Sequence, residues 1–279
     1  MEKARCLRFP MLFAAMLVVS PTALAESCGE LITFDSHDQT KMRVAVTVPK
    51  ISKATLILLV GGSGYLRLDE QGCPDALKGN SLVRSLRLFH DAGFATALVD
   101  APSDFQGTDG LESFRIDPRH AEDISKVIAT MRSRAKAPVW VVGTSRGAIS
   151  AANAASRLSG PSAPDGVILT SAVMSGTEGG RKAWTADTVF DLPLESIRVP
   201  VLVVGHADDK CARSPPQEMP RITARTNGSR EQVVTVTGGP GGLGLSGLQA
   251  CKGKSPHGFL DQEAEVASGM ARFVAGGRY

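Results

Sequence analysis

A pentapeptide of the form Gly-x-Ser-x-Gly, residues 143–147, places Ser145 between two glycines near the middle of the chain. An apolar run, 139–142, comes directly before it, and an alanine-rich stretch of helical character follows. A serine on a sharp turn between a strand and a helix holds its hydroxyl clear of the sheet. The glycines remove side chains that would collide with the neighbouring strand and helix. Ser145 is therefore a candidate nucleophile.

In this strand-turn-helix setting, the pentapeptide resembles the nucleophile elbow of the α/β-hydrolase family. The resemblance covers the chain from about Leu31 to its end and is closest to compact, exported bacterial esterases with little or no lid. It implies that Ser145 attacks a carboxylic ester or a related acyl bond and forms an acyl-enzyme, with a histidine and a carboxylate assisting. It implies no metal and no organic cofactor.

The family order of serine, acid and histidine leaves two of the five histidines as candidates for the base. His257 lies in a loop between the last predicted strand and the final predicted helix, 261–274, where the family keeps its base. We expect His257 to be the base and His206 to support its own loop, although a base at His206 stays open. The three that precede Ser145 are expected to be ordinary surface or helix-end residues: His37, His90 and His120.

Two adjacent aspartates, Asp208 and Asp209, follow the predicted strand 201–204 and could hold the histidine. In relatives, an apolar, inward-facing residue tends to stand two positions after the acid. Cys211 meets this condition for Asp209, whereas Lys210 stands two positions after Asp208. Asp209 is therefore the preferred acid and Asp208 the alternative.

The cysteines gain a role from the same resemblance. Four of the five remain if the first 25 residues are removed, and four cysteines allow three pairings. Cys211 and Cys251 stand on the two loops that must meet if acid and base are to touch, so we expect a disulfide between them. Cys28 and Cys73 would then tie the N-terminal strands to the loop after the first buried strand. Free buried thiols are the alternative.

The oxyanion of the intermediate needs hydrogen-bond donors, and the resemblance implies two backbone N–H groups. One belongs to Arg146, the residue after the nucleophile. The other belongs to Gly62 or Ser63, in the glycine-rich loop 61–64 after the first buried strand. A merely flexible turn is the alternative interpretation of that loop.

The side chain of Arg146 is unusual at this position. A cation in the first turn of a helix opposes the helix dipole at a cost of about 0.3–1 kcal/mol. A nearby acid should compensate, and Asp104, after the second buried strand, is one candidate. A role for Arg146 in binding an anionic substrate is the other interpretation.

The elements that must position these residues follow a regular pattern. Two short strands, 31–34 and 42–48, precede six continuous apolar runs separated by stretches of helical periodicity. The six runs are 55–60, 94–99, 139–142, 167–169, 201–204 and 233–236. Runs of this kind are typical of strands buried on both faces. The pattern predicts an α/β fold: a doubly wound, mainly parallel sheet of about eight strands, with an antiparallel N-terminal edge and helices on both faces.

One segment, 173–198, interrupts this alternation and carries Trp184 and Phe190. It could form a small cap over the site, or it could be a surface excursion whose aromatic side chains pack down for stability. No linker divides the remainder, so we expect a single domain over 26–279.

The first 25 residues have the composition of a signal peptide. Basic residues precede an apolar run, 9–19, and the small-residue triplet 23–25 follows. A membrane anchor is the alternative, but the run is shorter than the roughly 20 apolar residues that span a bilayer. We expect cleavage after Ala25 and an exported, periplasmic or secreted protein, with no stable membrane anchor after cleavage.

The resemblance implies a small ester or acyl molecule as the substrate, and composition adds what the partner is not. A net charge of +3 on 279 residues does not suggest a nucleic-acid partner. Residues 242–247 spell Gly-x-Gly-x-x-Gly but lack the following helix and strand of a dinucleotide site. A peptidase or amidase, an acyltransferase and a non-catalytic binding protein of the same fold remain as alternative functions, and the oligomeric state is open.

Overall fold

A computed structural model describes residues 28–177, 182–242 and 244–279, so the predicted signal peptide lies outside the described residues. Eight strands form a single sheet in the order β1-β2-β4-β3-β5-β6-β7-β8. Their bounds are β1 Glu30–Asp35, β2 Lys41–Thr47, β3 Thr55–Leu59, β4 Ala95–Val99, β5 Val139–Thr144, β6 Gly166–Thr170, β7 Val201–His206 and β8 Glu231–Val236. Strand β2 runs antiparallel to both of its neighbours, β1 and β4, and all other pairs are parallel. The predicted fold class is confirmed.

The degree of burial along the strands explains the sequence pattern. Every residue of β3, β4, β5, β6 and β7 is buried. The two edge strands, β1 and β8, consist mainly of residues that are exposed or partly exposed. Five of the six continuous apolar runs therefore mark strands that are covered on both faces. The sixth, 233–236, was expected to be buried in the same way but lies in the edge strand β8, where Val236 is the one buried residue.

Six helices cover the two faces of the sheet. Their bounds are α1 Ser81–Arg84, α2 Leu86–Asp91, α3 Pro118–Ala135, α4 Gly147–Arg157, α5 Pro220–Thr223 and α6 Glu263–Val274. Helices α3, α4 and α5 bury apolar side chains in one core, and α1, α2 and α6 do so in the core on the opposite face. Helix α3 begins with Asp117 as its N-cap and Pro118 in its first turn, where a proline is favourable.

The parallel strands bring the site together. Strands β3, β5 and β7 run in the same direction, so the loops that follow them meet at one edge of the sheet. Ligands of open α/β sheets bind at this carboxyl edge. Among the described residues, no helix is both long enough and apolar enough to cross a membrane.

Candidate active site

Ser145 occupies the tight turn between β5 and α4 with a φ of +54°, in the left-handed region that a serine rarely adopts. Its N–H donates to Thr170 O at 2.9 Å, which ties the turn to the neighbouring strand. The two flanking positions have no room for a side chain. A Cβ on Gly147 would lie 1.9 Å from Leu59 O, and one on Gly143 would lie 2.2 Å from Gly147 O. The turn is therefore a strained backbone feature of the kind found at functional sites.

Asp209 and His257 form a buried pair beside this turn. His257 Nδ1–H donates to Asp209 Oδ2 at 2.8 Å, and the two side chains are only 4% and 1% exposed, respectively. The second carboxylate oxygen, Oδ1, accepts from Cys211 N–H at 2.8 Å. His257 Nε2 is buried and has no hydrogen-bond partner among the described residues, and His257 and Ser145 line the same cavity.

Asp208, the alternative acid, does not contact His257. Its side chain is exposed, and its backbone N–H donates to His206 Nδ1 at 3.0 Å. His206 Nε2–H in turn donates to Gly238 O at 3.0 Å. His206 is thus engaged on both nitrogens and braces the loop after β7, while Asp209 is the aspartate that contacts the candidate base.

The loop that carries His257 is held from several sides. Arg84 donates to Gly253 O at 2.9 Å and to Gly258 O at 2.6 Å, and its Nε bonds Glu263 at 2.7 Å. Ser171 Oγ donates to His257 O at 2.8 Å. These contacts fix the imidazole relative to the sheet edge.

Two disulfides are present, and they are the two pairs expected from the sequence. Cys211 is bonded to Cys251, which links the loop of Asp209 to that of His257, and Cys28 is bonded to Cys73.

The glycine-rich loop after β3 lies directly against the serine turn. A Cβ on Gly61 would approach Ser145 Cβ to 2.8 Å, and Gly62 lines the cavity with Ser145. Within the described ranges, the backbone N–H groups of Gly62, Ser63 and Arg146 donate no hydrogen bond.

Arg115, which its local sequence does not mark as a functional residue, supports this loop. Its side chain is fully buried, and its Nη2 donates to Val60 O and Gly62 O, each at 3.2 Å, while Nη1 donates to Ser150 Oγ at 2.9 Å. Burial lowers the pKa of Arg115, and the positive charge of Arg146 adds to that effect. No local sequence signal separates Arg115 from a surface arginine, because only the tertiary structure encloses it.

The candidate partner of Arg146, Asp104, does not contact it. Asp104 accepts from His37 Nε2 at 3.0 Å instead, whereas the Arg146 guanidinium lies 4.0 Å from the centre of the Trp184 ring. Burial lowers the pKa of Arg146 to about 10, and the nearby charge of Arg213 contributes. The aromatic face therefore stabilises this cation through a cation–π contact.

Two of the other histidines also differ from expectation, because they are not ordinary surface residues. His37 donates from Nδ1–H to Asp123 Oδ2 at 2.7 Å as well as from Nε2–H to Asp104, and its side chain is 5% exposed. His120 is fully buried, and desolvation lowers its pKa to about 3. His90, at the end of α2, is half-buried and bonds Thr96 at 2.9 Å.

The described part of the 173–198 segment forms one wall of a second cavity that reaches Ser145. Val173, Thr177, Trp184 and Thr185 contribute to this wall. Phe190 lies elsewhere, beneath the guanidinium of Arg221 at 4.7 Å. The two aromatic side chains of the segment thus have different surroundings.

One group of side chains resembles a metal site in spacing alone. Ligand atoms of Asp209, Cys211 and His257 lie within 4.8 Å of one another. Cys211 Sγ is covalently bound to Cys251, so it cannot act as a thiolate ligand. His257 Nδ1 is already hydrogen-bonded to Asp209. The group is therefore a hydrogen-bonded pair of a carboxylate and an imidazole.

Comparison with known proteins supports the fold through structure rather than sequence. No protein-family model matches the chain, and no curated protein matches it in sequence. Among solved structures, a dienelactone hydrolase from Anabaena variabilis is similar at 15% identity and a TM-score of 0.56, over 90% of this chain and all (100%) of that one. An esterase from Pyrococcus furiosus is similar at 13% identity and a TM-score of 0.59, over 88% of this chain and 91% of the other. An α/β serine hydrolase homologue from Coxiella burnetii is similar at 17% identity and a TM-score of 0.55, over 90% and 99% of the two chains. With its strand order and its helices on both faces of the sheet, this chain has the fold of the α/β hydrolases.

Proposed function

We propose that the protein is a serine hydrolase that cleaves a carboxylic ester of a small molecule through an acyl-enzyme on Ser145. The observation that carries the proposal is the buried Asp209–His257 pair: its Nε2 has no hydrogen-bond partner among the described residues, and His257 lines the same cavity as a serine held on a strained turn. A serine hydroxyl needs such a base to become a nucleophile, and the base needs a carboxylate to fix its tautomer. Contacts between nucleophile and base are often long until substrate binds.

In the proposed reaction, Ser145 Oγ attacks the acyl carbon while His257 Nε2 takes the hydroxyl proton. The N–H groups of Arg146 and of Gly62 or Ser63 stabilise the oxyanion. His257 then returns the proton to the leaving alcohol oxygen as the ester C–O bond breaks. Water, deprotonated by the same imidazole, cleaves the acyl-enzyme and restores Ser145. Asp209 keeps the proton of His257 on Nδ1 throughout.

A fluorophosphonate probe tests this proposal directly. We expect the probe to label the wild-type protein at one serine and to leave Ser145→Ala unlabelled, because only an activated serine reacts. Ser125→Ala is a matched control, since Ser125 lies on α3 and bonds only Glu122 O in the described structure. Labelling of Ser145→Ala at the wild-type level, or no labelling of the wild type, would contradict the proposal.

We also propose that the protein is exported and that its mature form begins after residue 25. The two disulfides support this, since such bonds persist in oxidising compartments. The intact mass of the protein recovered from a secreting host should lack residues 1–25. Recovery of the full-length chain in the cytoplasm would contradict the export proposal.

A further inference from the structure

The cavity beside Ser145 that includes Trp184 has a distinctive set of charges. It has a volume of about 500 Å³ and is lined by Ser145 and Gly62 together with apolar and aromatic side chains. The charged residues among its described lining are Arg146, Lys182 and Arg213, and all three are cations.

Among the described residues, one of these three cations forms an ion pair with a carboxylate, and the charge of Asp187 acts on the two arginines without an ion pair. Lys182 Nζ forms an ion pair with Asp109. Arg213 donates from Nη2 to a backbone carbonyl, Asp187 O, at 3.2 Å, and its Nε finds no acceptor. In the described parts of the chain, neither Arg146 nor Arg213 forms an ion pair.

Arg146 is held in a way that leaves its donors available. The Trp184 ring covers the flat face of the guanidinium at 4.0 Å. The N–H groups of a guanidinium point outward in its own plane, so stacking on a ring does not consume them. No described residue accepts a hydrogen bond from this side chain.

Both arginines are fixed relative to the proposed catalytic residues. Arg146 follows Ser145 directly in sequence. Arg213 follows Asp209 by four residues, and its backbone carbonyl accepts from Met174 N–H at 2.8 Å, which anchors the loop. Both arginines line the same cavity as Ser145.

The electrostatics of the pair favour an added anion. Desolvation and the mutual repulsion of Arg146 and Arg213 lower the pKa of Arg146, while Asp109, Asp187 and Glu112 offset part of this effect. None of these three acids lines the cavity. A ligand carboxylate between the arginines would relieve the repulsion and accept their free N–H groups, since guanidinium groups match carboxylates in geometry.

The position of His257 decides which part of the ester occupies this cavity. His257 lines a smaller, adjoining cavity of about 230 Å³, which meets the first cavity at Gly62, Ser145 and Cys251. The leaving oxygen must receive its proton from His257, so the leaving group belongs in that cavity. The acyl portion then extends into the cavity of the two arginines.

We propose that the preferred substrates are esters whose acyl chain ends in a carboxylate, with Arg146 and Arg213 binding that carboxylate and Trp184 contacting the chain. This inference rests on the proposed esterase function of the same site.

A matched pair of substrates tests the inference: mono-4-nitrophenyl adipate, which carries a free carboxylate, and its methyl ester, which is neutral. We expect kcat/KM of the wild type to favour the anionic substrate by at least about tenfold, because charge-assisted hydrogen bonds are the stronger kind. Arg213→Gln should reduce this preference about 10- to 100-fold, mainly through KM, and Arg213→Lys should restore part of it. Raising the ionic strength should weaken the preference.

Arg87→Gln is the control for removal of one positive charge. Arg87 is on α2, is 92% exposed and pairs with Asp91 alone, at 3.8 Å, among the described residues, so the preference should stay at the wild-type value. Equal turnover of both esters by the wild type, or an unchanged preference in Arg213→Gln, would overturn the inference while leaving the esterase proposal intact. Absence of turnover of both esters, together with no probe labelling of Ser145, would overturn both.

Discussion

Replacing Asp209 with asparagine tests the proposed mechanism at the residue where the sequence left a choice. In the wild type, Oδ1 accepts from Cys211 N–H and Oδ2 accepts from His257 Nδ1–H, each at 2.8 Å. Asparagine has one acceptor oxygen and one donor NH₂ group. The bond from Cys211 N–H requires the oxygen, so the NH₂ group must face His257 Nδ1.

This orientation changes the tautomer of the histidine. A donor facing Nδ1 makes that nitrogen an acceptor and moves the imidazole proton to Nε2. Nε2 can then no longer take the proton of Ser145. An Asp→Asn change in a serine-protease triad costs about 10⁴ in kcat, which corresponds to about 5.4 kcal/mol of transition-state stabilisation. We expect a loss of this size in kcat for Asp209→Asn, with little change in KM.

Asp208→Asn is the matched control, because it makes the same chemical change one residue away on an exposed side chain. Its kcat should stay within about twofold of the wild type, as expected for a surface substitution. Hydrolysis of a 4-nitrophenyl ester measures both variants, and thermal unfolding shows that each is folded. A loss of less than tenfold in Asp209→Asn, or an equal loss in Asp208→Asn, would refute the assignment of Asp209.

Two further predictions concern stability. Since His120 has a pKa of about 3 when folded and 6.5 when unfolded, the unfolded state binds its proton first, and stability falls as pH drops from 6.5 towards 3. His120→Leu should remove up to about 1.4 kcal/mol per pH unit of this fall, measured by urea unfolding at pH 7 and pH 5; an unchanged pH dependence would contradict the neutral, buried state. The disulfides Cys211–Cys251 and Cys28–Cys73 span 40 and 45 residues, so replacing either pair with serine should cost a similar free energy of unfolding, about 3–4 kcal/mol. Only the replacement of Cys211–Cys251 should also reduce kcat of the folded enzyme, because this disulfide joins the loop of Asp209 to the loop of His257. Equal kcat values for the two variants would count against that role of the disulfide.

The sequence by itself predicted the features that depend on local order along the chain. Continuous apolar runs marked the central strands, since such strands are buried on both faces. The glycines around Ser145 marked the turn after β5, because a side chain at Gly147 would meet Leu59 O. The resemblance that these features support named His257 and limited the acid to two adjacent residues.

Beyond the two cysteine pairs, the tertiary structure decided which distant side chains meet. Asp209 rather than Asp208 contacts His257 because the loop after β7 turns one aspartate inward and leaves the other exposed. Asp104, which sequence position made a candidate partner of Arg146, pairs with His37 instead.

The same holds for the cations around the serine. The sequence does not mark Arg115 or Arg213, because an arginine between the α-helices and strands has the same local pattern whether it is enclosed or exposed. Enclosure comes only from the packing of segments far apart in the chain, as when Trp184 closes over Arg146. Local periodicity therefore determined the scaffold and the serine turn, whereas long-range packing determined the acid, the support of the glycine-rich loop and the charge of the cavity.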